Sequence, residues 1–202
     1  MSARRDPKPA LAWPGDPESV SAADIDFTAL AHVLANTCRR GGRIRSFHSL
    51  AAHAVVVSEE IEALDGIAGE ERRALALHAL LVGAASAWFR GGTAGSARAV
   101  ERTARLSSGI ERALREAAGL DAPLDEERAE LVRFVARMAT AAEARDLGDD
   151  GAHAGAGIAF PPLKRRIRSL APDRAAQAWL ARFRALGGDA GGSKPGAGVS
   201  DE

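Results

Sequence analysis

The stretch ALALHALLVGAASAWF, residues 74–89, decides how this chain is read. It is the most apolar segment of its length, yet it falls short of the roughly 20 apolar residues that span a bilayer. A surface helix confines its apolar residues to one stripe. This segment is apolar on nearly every side, which predicts a buried central helix starting near Glu70 and ending at Gly91-Gly92.

Working outward, the pattern stays helical. Before it, a helix is expected from about Ser49, with Leu50, Ala54, Val57 and Ile61 on one face, ending near Asp65-Gly66. Earlier still, Ser21 or Asp24 is placed to cap a helix carrying Ile25, Phe27, Leu30, Val33 and Leu34 and stopping before Gly41-Gly42. After the central segment comes a helix over about residues 96–118, with Gly119 as its stop. Asp125 caps a fifth helix, whose Glu126 and Glu127 sit where the helix dipole favours them. It continues through Leu131, Phe134, Val135 and Met138 to about Asp146. A Gly-, Ala- and Pro-containing loop covers residues 148–162. Pro172 and Asp173 open a last helix with Trp179, Leu180, Phe183 and Leu186 as its stripe. No strand alternation or repeat is visible. The expected fold class is all-α, a single compact helical domain of five to seven helices over residues 21–187. A flexible arm (1–20), in which Trp13 could pin the chain to the body, and a disordered Gly-rich tail (188–202) flank it.

Composition narrows the function classes. The chain has 202 residues, 46% hydrophobic and 27% charged, with a formal net charge of zero. That is ordinary for a globular protein, and it gives no global attraction to nucleic acid or anionic membranes. One cysteine, Cys38, cannot form an internal disulfide, which fits a reducing compartment. With no signal peptide visible, a cytoplasmic protein with neither membrane nor nucleic acid as partner is expected, its Lys164-Arg165-Arg166 run notwithstanding. Heavy use of Ala, Arg and Gly suggests a GC-rich bacterial genome. The glycines around Gly91-Gly92-Thr93 and Gly95 lack the Gly-Lys-Ser/Thr ending of a phosphate loop.

Three spaced motifs go further. Asp24-Ile25-Asp26, Leu30-Ala31-His32 and Cys38-Arg39 are followed by Phe47-His48-Ser49 and Ala51-Ala52-His53-Ala54. Downstream come Thr140-Ala141-Ala142-Glu143-Ala144-Arg145-Asp146-Leu147, then Ile167-Arg168-Ser169-Leu170-Ala171-Pro172 and Trp179-Leu180-Ala181-Arg182-Phe183. In this order, across about residues 20–187, they resemble the HD-domain phosphohydrolases, in particular the small 5′-deoxynucleotidase-like branch. The resemblance implies a helical domain of HD type, often a homodimer. In active members a His, an adjacent His-Asp pair and a later Asp hold a divalent transition metal. That ion polarises a phosphoryl oxygen and lowers the pKa of a bound water.

Carried over residue by residue, the resemblance breaks at the chemistry. The first His matches His53. Val82 and Gly83 stand where the His-Asp pair belongs, Ser86 replaces a helper Glu, and Ala136 falls on the last Asp. Val, Gly and Ala side chains offer no lone pair, so no catalytic residue, resident metal or cofactor is expected. His53 reads as a core histidine with a hydrogen-bond partner rather than a remnant ligand. His32 reads as a packing or capping residue, while His48 and His153 have no identifiable partner. Glu143, Arg145 and Asp146 read as an ion-pair network tying the fifth helix to its neighbours.

The expectation is an inactive homologue that serves as a binding or interaction module, with a homodimer partner or a nucleotide or other phosphorylated small molecule as ligand. Two alternatives stand beside it. One is an active phosphohydrolase whose metal site is rearranged around His53 and His78. The other is a non-catalytic nucleotide-binding regulator using Arg39, Arg43 and Arg45 on phosphate, which arginine suits by its forked donors.

Overall fold

The computed structural model describes residues 18–42, 44–89, 97–148 and 160–189. Trp13, Arg43, His153 and the glycine cluster at Gly91-Gly92 lie outside them. Six α-helices make up the described fold: α1 Phe27–Asn36, α2 Leu50–Glu62, α3 Gly69–Leu81, α4 Ala97–Ala117, α5 Glu126–Leu147 and α6 Pro172–Ala185. Short 3-10 turns lie at Ala22–Asp24, Arg39–Gly42 and Ala84–Trp88, and no strand is present among the described residues. The all-α expectation holds, within the expected number of helices. None of the described helices is long and apolar enough to cross a membrane.

The caps explain most boundaries. Asp26 starts α1, its carboxylate accepting from the Thr28 and Ala29 amides. Ser21 and Asp24, the caps expected from sequence, instead cap each other around the preceding 3-10 turn. Ser49 starts α2 by accepting from the Ala52 amide, and Asp125 starts α5 by accepting from that of Arg128. Pro172 occupies the first turn of α6, where its missing N–H has no intrahelical partner to lose.

The central helix is α2, not the stretch that looked most apolar. Helices α1, α3, α5 and α6 all pack against it, and every residue from Ala51 to Ser58 is buried. The expected long helix over residues 74–89 breaks instead. Helix α3 ends at Leu81, Val82 turns extended, Gly83 adopts the left-handed conformation at φ 76°, and a 3-10 turn follows. Leu80, Leu81, Ala84, Ala85 and Trp88 still reach the core, but Val82 is 48% exposed. The break turns the chain so that alternate pieces of one apolar segment face inward. A continuous helix would have carried all sides through the interior.

Polar links set the packing register. Ser58, fully buried, donates from Oγ to the Ala76 carbonyl of α3 at 2.8 Å. It also accepts from Arg182 Nε of α6 at 3.0 Å, and Arg182 bridges on to Glu62. One serine in a run of valines thus joins three helices. Helices α1 and α6 meet through Phe27, Trp179 and Phe183, with Phe27 and Phe183 centroids 4.2 Å apart. Two contacts lie just outside the span 21–187. Glu18 forms an ion pair with Arg102 of α4. Gly188 donates to the Phe183 carbonyl, and a Cβ there would stand 2.4 Å from the Phe183 ring.

Candidate functional site

The densest chemistry in the described fold surrounds Glu143. Its carboxylate sits on the face of α5 turned towards α2 and is fully buried. Ser49, buried and bridged to Cys38, caps α2 so that His53 falls in its first turn. His53 Nδ1 is hydrogen-bonded to Glu143 Oε1. His48 Nε2 lies 3.3 Å from the same oxygen. Arg39, brought inward by the tight turn at Arg40 (φ 52°) and Gly41 (φ 60°), donates from Nε to Glu143 Oε2 at 3.2 Å. Its NH2 donates to Thr140 Oγ1 at 3.0 Å, and that hydroxyl donates to the Ala136 carbonyl. Residues 136, 140 and 143 lie on one face of α5, as spacings of four and seven require.

Charge bookkeeping in this cluster is close to neutral. Burial pushes the Glu143 carboxyl up, but the His48 and His53 imidazoles and the Arg39 guanidinium outweigh it and hold it far below the usual carboxylate range. Burial pushes His53 below its ordinary value, against the pull of Glu143 and helped by Arg39 and His48. The coherent state is therefore a carboxylate paired with the arginine and a neutral imidazole hydrogen-bonded to it. His53 has the hydrogen-bond partner expected of it, and His48 joins the same cluster, which its sequence position did not reveal.

Further along α5, Arg145 donates to Asp146 and to the carbonyls of Leu163 and Arg165. Asp146 accepts from the Ile167 amide at 2.8 Å. The Arg145 and Ile167 donors hold its carboxyl well below the usual range. Glu143, Arg145 and Asp146 thus tie α5 to α2 and to the segment before α6, as the sequence led us to expect.

The other positions flagged by sequence lie elsewhere. Val82 and Gly83 line a small cleft with His78, Arg115 and Leu124. This cleft touches α5 at Ala129, fourteen residues and about 21 Å along the helix from Glu143. Ser86 is exposed and donates to the Gly83 carbonyl. Ala136 is half-buried and enters the Glu143 cluster only through its carbonyl. His78 faces α4, lowered by burial and by Arg115 and supported by the Ala122 carbonyl. It shares no partner with His53. Of the three arginines considered for phosphate, Arg39 is committed to Glu143, the side chain of Arg45 packs along Gly148, and Arg43 lies outside the described residues. His32 is exposed beside Asn36. Among the described residues no three His, Cys, Asp or Glu side chains are arranged to hold a metal ion.

A larger cleft of about 830 Å³ lies between α3 and α5, with Leu75, Leu131 and the exposed Phe134 inside a rim that includes Glu71, Glu127 and Glu130. It contains none of the candidate site residues named from the sequence. No protein-family model matches the chain, and a search of the curated proteins finds no relative. The family resemblance therefore rests on the motifs quoted above.

Proposed function

We propose that this chain is a non-catalytic protein of HD-domain type, whose helical scaffold serves binding rather than metal-dependent phosphoester hydrolysis. The observation that carries the reading is the incomplete donor set around His53, the one imidazole at a family ligand position. Its Nδ1 is held by Glu143, and among the described residues no three His, Cys, Asp or Glu side chains are arranged to hold an ion. Val82 and Gly83 support the same reading, since they form a solvent-facing turn without a donor side chain.

The test is metal analysis of purified protein together with hydrolysis assays on deoxynucleoside monophosphates and a chromogenic phosphate ester. The expected result is sub-stoichiometric metal and no turnover above buffer. Stoichiometric divalent metal, with hydrolysis abolished in a folded His53→Ala variant, would overturn the proposal. A second copy of the chain, one of the partners the resemblance implies, is checked by light scattering.

A further inference from the structure

The small cleft at the α3 break has a chemistry of its own. Its volume is about 240 Å³, and its walls include Leu81, Val82, Leu114 and Leu124. Val82 is one of two large apolar side chains left exposed in the described fold, and it opens onto this space. Arg115 lines the same cleft, half-buried, and makes no ion pair or side-chain hydrogen bond within the described fold. Glu111, one turn earlier on α4, also lines the cleft, but no ion pair joins the two. The neighbouring pair Arg112 and Glu116 is joined instead, at 3.9 Å. No Arg115 nitrogen is buried without a partner, so the guanidinium is open to the cleft and to solvent, and its planar fork matches a carboxylate.

We infer that this cleft binds a small monocarboxylate with a short apolar tail, its carboxylate on Arg115 and its tail against Val82, Leu114 and Leu124. The volume is that of about eight waters, which admits a carboxyl group and a tail of about four to six carbons. Glu111 at the rim opposes the anion and weakens binding without supplying a competing partner. The site goes beyond the functional reading above and stands on the cleft alone. Binding here is measured without any phosphatase assay, so the two proposals fail separately.

The experiment titrates full-length protein with hexanoate and benzoate, and with hexanamide and benzamide as neutral isosteres, by calorimetry and thermal shift. Ligand bound to the native state raises the melting temperature. Hexanoate or benzoate is expected to bind about tenfold or more tightly than its amide, the contribution of a charge-assisted hydrogen bond. Arg115→Gln is expected to erase that difference, and Glu111→Gln to tighten the carboxylate by a few-fold. Both residues are at least partly solvent-facing, so both variants fold. Equal binding of acid and amide, unchanged acid binding in Arg115→Gln, or no binding at millimolar ligand would each overturn the inference.

Discussion

Replacing Glu143 by Gln tests whether the buried cluster holds α5 to α2. The carboxylate side chain is 1% exposed, and Arg39 beside it is 18% exposed. At their 3.2 Å separation the Coulomb attraction is about 5 kcal/mol with an effective dielectric of about 20. Desolvation offsets part of this, so the pair's net contribution is smaller than the attraction. Removing one partner is worse than removing both, because Arg39 then stays inside without its counter-ion. Such a break costs about 3–5 kcal/mol. At about 2–4 °C per kcal/mol for a chain of this size, the melting temperature drops by about 6–20 °C. Urea unfolding followed by the fluorescence of buried Trp88 and Trp179 measures it. The double variant Arg39→Met with Glu143→Leu removes both charges and should cost less than the sum of its singles by about 2 kcal/mol or more. A Glu143→Gln cost under about 1 kcal/mol, or simple additivity in the double variant, would refute the reasoning.

Other outcomes follow from single residues. Ser58→Ala strips a buried hydroxyl from the Ala76 carbonyl and from Arg182, and is expected to cost about 1–3 kcal/mol in urea unfolding. Gly83→Ala meets no atom within 4 Å, so only the left-handed φ of 76° resists it, at about 1–2 kcal/mol by the same measurement. Gly188→Ala drives a methyl into the Phe183 ring, and a melting temperature equal to wild type would contradict the packing of that residue. For pH dependence, both His53 and His78 are depressed in the fold. The unfolded chain therefore binds their protons first, and the stability they contribute is complete above about pH 6.5 and is lost as pH falls from there. Glu143 is depressed too, so its contribution persists down to about pH 4 and is lost below. Melting temperatures should thus decline from pH 7 to pH 5. His78→Gln should flatten the decline; a wild-type curve flat over that range would contradict both histidine assignments.

The sequence alone determined the helices and most of their ends. A capping side chain and a first-turn proline act over three or four residues, so Asp125, Ser49 and Pro172 could be read without knowing what lies opposite. The apolar stripes of α1 and α6 were legible for the same reason, as was the pairing role of Glu143, Arg145 and Asp146. What the sequence could not supply was which helix occupies the centre. Local hydropathy ranked residues 74–89 above α2, whereas burial depends on how completely other elements cover a segment: α2 is buried at every residue from Ala51 to Ser58, while Val82, Gly83 and Ser86 of the more apolar stretch face solvent. The left-handed turn at Gly83 was hidden for a related reason. A glycine within an apolar run is compatible with helix or with a break, and only the packing of Leu81, Ala84 and Trp88 into one core selects the break. His48 and Ser58 were likewise invisible as site residues. A polar side chain in an apolar segment announces that it needs a partner, but its partner here comes from 95 positions away for His48 and from α3 and α6 for Ser58. Hydrogen bonds and ion pairs act over a few ångströms in space, so the tertiary structure alone decides which distant residues they join.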